Sequence, residues 1–284
     1  MELKCASKFA DESAADSGEF FRRPEIGDKN AERSDMKILY AGDSDVGGSA
    51  NYLLSILNFL KADFLHVPPF RTLKPNVFSK RFDAIVLSDF SRRNLPLPAE
   101  RAILRQVEKG TGLLMVGGWG SFSGPFGYWH GSGIESILPV HCLGRDDRVN
   151  FPSGGLMIPK MKHAALRDVR FEAPPAIMGL NQVRPKKTGL TVLSAQKIRA
   201  RQKSKRLSYA VTLDKSEYPL LVVDRDPDRK VAALTTDLAP HWCGGLVDWG
   251  GSLMTLKVNR TASVQVGYLY VRFVANLLKW LVRT

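Results

Sequence analysis

The order in which short apolar runs, polar turns and amphipathic segments repeat between residues 37 and 118 restricts the fold more than any other feature. The runs KILYA (37–41), FDAIVLSDF (82–90) and LLMVGG (113–118) are rich in aliphatic residues, as buried parallel strands are. The segments ANYLLSILNFLK (50–61) and PAERAILRQVEKGTG (98–112) carry apolar residues at helical spacing. This alternation predicts an α/β fold in which helices cover both faces of a mainly parallel sheet.

The second half of the chain has a different pattern, with several strand-like runs separated by turn residues. Its strand-like runs are LTVLSA (190–195), LSYAVTL (207–213), PLLVVD (219–224) and KVAALTTD (230–237). They predict antiparallel additions to the same sheet. A closing helix is predicted over residues 262–282, because Leu269, Phe273, Leu277 and Trp280 recur at helical spacing.

The first 35 residues differ in composition from the rest of the chain. They hold six Lys or Arg and nine Asp or Glu, which leaves a formal charge of +16 for the remainder of a chain of net charge +13. Such an acidic, aperiodic segment is expected to be a disordered tail, and residues 36–284 are expected to form one domain. An upstream start codon and a regulatory tail both account for this segment.

Cellular location and cofactors are constrained by what the sequence lacks. It has no apolar run of the length that spans a membrane and no apolar stretch of a secretory signal near its start, so a cytoplasmic protein is expected. Cys5, Cys142 and Cys243 match no disulfide or metal-site spacing and are expected to be reduced thiols. No metal or cofactor is predicted.

Polar residues follow the predicted parallel strands, at the edge where α/β proteins bind ligands. Asp43, Asp89, Gly118 and Asp237 each lie at or just after a strand end. Three converging carboxylates could bind a divalent cation, but turns and helix caps explain each of them singly. The turn GDSDVGGSA (42–50) could bind an anion through its amides, although it fits neither the P-loop nor the GxGxxG spacing.

Longer segments carry a resemblance to a known family. GLLMVGGWGSFSGPFGYWHGSGIESILPV, PPAIMGLNQVRPKKTGLTVLSA and VAALTTDLAPHWCGGLVDW, preceded by ILYAGD and FDAIVLSDF, resemble the putative glutamine amidotransferases. That family belongs to the class I glutamine amidotransferase-like superfamily and is similar to trehalose-utilisation-type proteins. The resemblance covers about residues 36–282. It implies a flavodoxin-like three-layer sandwich with a mainly parallel central sheet and antiparallel additions in the second half.

The resemblance also implies where catalytic residues would lie. Glutaminases of the superfamily have a Cys on a strained turn after a central strand, a His after a late strand, and a Glu two residues beyond that His. Here the turn reads Gly117-Gly118-Trp119-Gly120, His241 roughly matches the His position, and Cys243 stands where the Glu would be. The nucleophile and the acidic group are therefore missing, and glutaminase activity is not expected.

Trp119 is then interpreted as lining or closing an inherited cleft, with packing over the end of the sheet as the alternative. The predicted function is a small-molecule-binding or accessory protein whose ligand the sequence does not identify. The predicted cleft residues are Asp43, Asp89, Gly118, Trp119, Asp237, His241 and Trp242. The alternative is a hydrolase that uses His241 with Ser121 or with an activated water, which for Ser121 requires hydrogen-bond reach between the two side chains.

The remaining conspicuous feature is a basic loop over residues 184–206, in which Arg184, Lys186 and Lys187 precede a basic stretch, KIRARQKSKR (197–206). Its cations are Lys197, Arg199, Arg201, Lys203, Lys205 and Arg206, and no Asp or Glu occurs between Glu172 and Asp214. Such a hairpin loop would bind polyanions in a salt-dependent way, whether nucleic acid, anionic lipid or an acidic partner such as the tail. A solvated loop without a partner is the alternative, and the stretch lacks the interleaved aromatic residues of a base-stacking surface.

Overall fold

The computed structural model describes residues 21–22, 36–44, 48–202 and 209–282. The expectation for the tail, residues 1–35, lies outside these residues except at Phe21–Arg22, which form a short strand. Lys203, Lys205 and Arg206 of the basic stretch also lie outside the described residues.

The described elements are fourteen strands, five α-helices and four short 3-10 helices. The strands are β1 (Phe21–Arg22), β2 (Lys37–Gly42), β3 (Asp63–Val67), β4 (Ala84–Ser88), β5 (Gly112–Val116), β6 (Val140–His141), β7 (Arg148–Pro159), β8 (Ala176–Asn181), β9 (Arg184–Pro185), β10 (Gly189–Gln202), β11 (Tyr209–Asp224), β12 (Val231–Leu234), β13 (Leu253–Lys257) and β14 (Ser263–Gly267). The helices are α1 (Ala50–Phe59), α2 (Leu97–Glu108), α3 (Gly133–Ile137), α4 (Pro240–Cys243) and α5 (Tyr268–Leu281).

Ten of these strands form one mixed sheet in the order β1-β3-β2-β4-β5-β12-β11-β10-β7-β8. The run from β3 to β12 is parallel, and every residue of β4, β5 and β12 is buried. From β11 onward each neighbour is antiparallel. The sequence prediction of a parallel first half with antiparallel additions is confirmed.

Helices cover both faces of the sheet and make three layers. In β2, Ile38 and Tyr40 pack with α1 and α5 on one face, whereas Leu39 and Ala41 pack with α2 on the other. The period-2 alternation of a strand that is buried on both faces produces this division. Within the described ranges no helix has the length and apolarity needed to cross a membrane.

The prediction of a closing helix over residues 262–282 is wrong for its first residues. Ser263–Gly267 form strand β14, which pairs with β13, and α5 begins only at Tyr268. Val264 and Val266 alternate with polar residues, and this period-2 pattern suits a strand better than a helix. The predicted apolar stripe holds further on, since Leu269, Phe273 and Leu277 are buried.

The antiparallel half contains more strand than the sequence indicated. β10 continues to Gln202, and β11 joins the two runs that were predicted as separate strands. β7 and β8 were not predicted, because the register of β7 is interrupted between Asn150 and Gly155, where the sequence reads FPSG. A bulged strand of this kind lacks the regular alternation by which strands are identified.

Candidate functional site

The parallel strands β2, β4 and β5 end at one edge of the sheet, and an unusual backbone conformation follows each of the first two. Asp43 and Asp89 both adopt φ of 50°, which is uncommon for residues other than glycine. The amide of Asp43 donates to the Ser88 carbonyl at 2.8 Å, so the two strand ends are tied together. These turns place carboxyl groups at the edge where the sequence analysis expected the site.

Asp43 and Asp237 are turned into the protein rather than toward solvent. The Tyr40 hydroxyl donates to Asp43, and burial raises the pKa of that carboxyl to about 7. Asp237 accepts from the Ala239 amide at 2.9 Å, and burial together with the nearby charge of Asp43 raises its pKa well above the usual range. Their protonation is therefore linked to the folding of this edge, and in the described ranges no cluster of three or more ligating side chains suits a metal ion.

The turn after β5 is held by acceptors that belong to the protein itself. The Asp89 carboxylate accepts from the amide of Gly120, and burial raises the pKa of this group. The amide of Gly118 donates to Asn181 Oδ1 at 2.9 Å, while Asn181 Nδ2 donates back to the Gly118 carbonyl at 3.2 Å. A side chain at position 118 would bring its Cβ within 2.5 Å of Asp89, so this approach requires glycine.

Asn181 connects the turn to a second buried carboxylate. Its Nδ2 also donates to Asp147 Oδ1 at 2.6 Å, and Asp147 Oδ2 accepts from the Ser123 amide at 2.7 Å. Burial raises the pKa of Asp147 to about 6. The turn is thus fixed on both sides, by Asp89 from β4 and by the Asn181 and Asp147 pair from the antiparallel half.

Beside this turn lies an open cleft of about 310 Å³. Its lining residues are Trp119, Arg148, Asn150, Phe151, Pro152, Met178, His241 and Trp242. The indole of Trp119 is 40% exposed, and the Arg148 guanidinium lies over it at 4.6 Å from the ring centre. The ring of His241 meets Trp119 edge-on at 6.1 Å. Aromatic rings therefore form much of the wall of the cleft, with the Arg148 guanidinium packed on one of them.

Trp242 is the buried wall of this cleft. Its indole N–H donates to Asn150 Oδ1 at 3.1 Å, which fixes the ring against β7. The ring also packs on Gly179 of β8, where a Cβ would come within 2.6 Å of the indole nitrogen. His241, the preceding residue, is exposed, and its ring lies 6.4 Å from that of Trp242 at 22°. The short helix α4 thereby supplies the cleft with two rings, the buried indole of Trp242 and the exposed imidazole of His241.

The structure brings together some of the residues predicted from sequence and separates others. Trp119, His241 and Trp242 line the same cleft, with Gly118 and Asp89 forming the turn behind it. Asp43 and Asp237 are buried beneath the edge. Ser121 is 1% exposed and its hydroxyl accepts from the Asp89 amide at 3.0 Å, and in the described part of the chain no hydrogen bond joins it to His241.

Both described cysteines lie in surroundings that disfavour the reactive thiolate form. Cys142 and Cys243 are buried, and burial raises the pKa of each thiol well above its usual range. A thiol must lose its proton to act as a nucleophile. Cys243, which follows His241 by two residues, is therefore held in its neutral form.

Sequence reasoning did not identify four residues that shape the site. Arg148 and Asn150 come from the unpredicted strand β7, and Asp147 with Asn181 fixes the turn. One signal was available, since Asn181 ends the apolar run AIMGLN, and a buried amide in such a run must have hydrogen-bond partners. The approach of β7 to the turn depends on the order of strands and has no local signal.

The fold and this turn define an α/β protein of the class I glutamine amidotransferase-like type. A family model described as putative glutamine amidotransferase matches residues 72–260. The chain belongs to this family. A comparison with curated proteins returned no match.

Solved structures show the same fold. Cytoplasmic protein STM3548 from Salmonella typhimurium is 21% identical, with a TM-score of 0.63 over 88% of this chain and 100% of the other. Cytoplasmic protein STM1381 from Salmonella typhimurium LT2 is 23% identical, with a TM-score of 0.62 over 87% of this chain and 100% of the other. At these identities the likeness extends to the fold alone.

Proposed function

We propose that this chain is a glutamine amidotransferase-like protein that binds a small molecule in the cleft at Trp119 and does not hydrolyse glutamine. The observation that carries the proposal is the turn after β5, where a catalytic thiol would lie in a glutaminase. Here the turn presents an exposed indole, and an indole cannot attack a carbonyl carbon.

The amides of this turn support the same conclusion. In acyl-transfer enzymes, backbone N–H groups beside the nucleophile stabilise the negative oxygen of the tetrahedral intermediate. In this protein the Gly120 amide donates to the Asp89 carboxylate and the Gly118 amide to Asn181. Internal acceptors therefore occupy the donors that an oxyanion would need.

The cleft itself has the composition of a binding site. Its walls are the indoles of Trp119 and Trp242, while Arg148, Asn150 and His241 supply polar groups around them. Apolar walls with a few placed polar groups are typical of small-molecule sites. Asn150 Oδ1 accepts from Trp242, and no described residue accepts from the Asn150 N–H₂ group, which can therefore donate to a ligand.

Release of glutamate and ammonia from glutamine tests the first half of the proposal. The full chain and a His241→Ala variant should both show no turnover above buffer. Turnover by the wild type that is lost in the variant would overturn the proposal, because it would place His241 in a working glutaminase. The same pair of proteins, assayed with p-nitrophenyl acetate, tests the hydrolase alternative, for which the exposed position of His241 in the cleft is the supporting observation.

Binding of 8-anilino-1-naphthalenesulfonate, a flat aromatic anion, tests the second half. We expect saturable binding to the full chain that weakens by up to about tenfold in Trp119→Ala, since an aromatic pair contributes about 0.5–1.5 kcal/mol beyond the area that it buries. Phe70→Ala is the matched control, because Phe70 is an exposed aromatic residue on the loop after β3, several strands away. Equal loss of affinity in both variants would contradict a specific site at Trp119.

A second proposal, polyanion binding, concerns the described cations of the basic stretch, Lys197, Arg199 and Arg201. Arg199 and Arg201 are exposed on strand β10, where they can reach an anionic surface. Binding of the full chain to single-stranded oligo(dT) should weaken steeply as salt rises from 50 to 200 mM. Salt-independent binding would contradict it. We further propose a cytoplasmic location, which the description of both Salmonella structures as cytoplasmic proteins supports.

A further inference from the structure

The far ends of β10 and β11 form a two-stranded ribbon that extends beyond the rest of the sheet. We call residues 198–202 and 209–213 the outer ribbon. The other neighbour of β10 is β7, whose pairing ends at Lys197, and the other neighbour of β11 is β12, whose pairing covers only Leu221 to Val223. In the described part of the chain the outer ribbon therefore has no third strand beside it.

The register of the outer ribbon divides its side chains into two faces. Ile198 pairs with Leu213 and Ala200 with Val211, which places these four on one face, the apolar face. Arg199 pairs with Thr212 and Arg201 with Ala210, on the basic face. The division follows from the period of a strand, in which successive side chains point to opposite sides.

Both faces are open to solvent. Val211 is 66% exposed and Leu213 is 41% exposed, although both side chains are aliphatic. Ile198, nearer the body, is partly covered, with its Cδ1 close to Gly154 of β7. Isolated two-stranded ribbons are marginally stable in water, and contiguous apolar surface on them indicates a binding surface.

The charge of the ribbon has one sign over most of its surface. Arg199 is paired with Asp214 at 2.6 Å, but no carboxylate of the described residues pairs with Arg201. Lys197 lies at the base of the ribbon, with its ammonium 5.7 Å from the ring centre of Phe151. No Asp or Glu occurs in the sequence from residue 173 to residue 213, so the ribbon is electropositive.

We propose that the outer ribbon docks on an anionic lipid bilayer, with its apolar face sunk into the interface so that the arginines of the opposite face lie at the depth of the lipid headgroups. This inference rests on the polyanion-binding proposal and specifies anionic lipid as the polyanion. A bilayer interface accommodates apolar side chains and attracts nearby cations at once. Nucleic acid offers phosphates to the arginines but provides no apolar environment for Val211 and Leu213.

Sedimentation of the full chain with phospholipid vesicles tests this inference. Binding should be strong to vesicles of phosphatidylcholine with 30% phosphatidylserine and weak to phosphatidylcholine alone. Arg199→Gln/Arg201→Gln should weaken binding about 30-fold, at roughly fivefold for each cation near the surface. Val211→Ser/Leu213→Ser should weaken it more than about tenfold while leaving oligo(dT) binding unchanged.

Leu253→Ser is the matched control, because Leu253 is a 57% exposed leucine on β13, away from the ribbon. Its vesicle binding should equal that of the wild type. If the serine double variant binds vesicles as tightly as the wild type, the apolar face has no role and the lipid inference is wrong, even where oligo(dT) still binds. If neither probe binds, the polyanion proposal fails as well.

Discussion

The turn after β5 and the outer ribbon both lie beyond the carboxyl edge of the parallel strands, but their groups are held in different ways. In the turn, backbone groups are paired with side chains, Gly120 with the half-buried Asp89 and Gly118 with the buried Asn181. In the outer ribbon the two strands pair with each other and, among the described residues, with no further strand. One region is fixed by many contacts at once, whereas the other holds its side chains out to solvent.

Because of this difference, substitutions in the turn should affect stability, whereas substitutions on the ribbon should affect binding. A substitution in the frame of the turn leaves buried polar groups without partners, and such losses cost several kcal/mol. A substitution on the ribbon removes little that the folded chain needs, so its effect should appear in binding instead. Substitutions in the two regions should therefore differ widely in their effect on the free energy of unfolding.

Asn181→Ala should lower the free energy of unfolding by about 3–5 kcal/mol, because it removes a fully buried side chain that bonds Gly118 and Asp147. Urea denaturation followed by circular dichroism measures the change. Gln182→Ala, at the exposed neighbouring position, is the control and should lie within about 0.5 kcal/mol of the wild type. A similarly small loss in Asn181→Ala would mean that the turn is not held by this residue.

The importance of Asn181 also marks the limit of sequence reasoning. The parallel half was predictable because buried strands and amphipathic helices alternate there with clear periods, and Trp119 with His241 could be placed near one another by the resemblance. Asn181 and Arg148 reach the site from β8 and β7, whose position depends on long-range pairing. The bulge in β7 hid that pairing from a local reading of the sequence.

The second largest effect should depend on pH. The pKa of Asp43 is raised from 3.8 to about 7 in the folded chain, so between these values the folded state holds a proton that the unfolded state releases. Stability should therefore fall as pH rises from about 4 to 7, by at most about 1.4 kcal/mol per pH unit from this group. In Asp43→Asn, which tolerates the same φ, the slope of unfolding free energy against pH should become less negative by up to that amount. An unchanged slope would assign the linkage elsewhere.

Trp119→Ala should cost only about 1 kcal/mol of unfolding free energy, although it lies in the same turn as Gly118. Its indole is 40% exposed and contacts Arg148 and His241 at the surface of the cleft, whereas fully buried Trp side chains cost 3–5 kcal/mol when truncated to Ala. Urea denaturation beside Asn181→Ala distinguishes the frame of the turn from the side chain that it presents. A loss as large as that of Asn181→Ala would mean that Trp119 packs the fold and does not serve the cleft.

The smallest effect on stability is expected on the outer ribbon. Val211→Ser should change the free energy of unfolding by less than about 0.5 kcal/mol, because the side chain is 66% exposed and little of its surface is buried on folding. The same substitution at Val222, which pairs with Ala233 in the body of β11, should cost at least about 2 kcal/mol, since it places a hydroxyl in a fully buried site. The two valines lie on one strand and differ in burial, so urea denaturation of both variants isolates the effect of position. If Val211→Ser were as destabilising as Val222→Ser, the outer ribbon would be part of the core of the folded chain, and its apolar face would need no external partner to explain it.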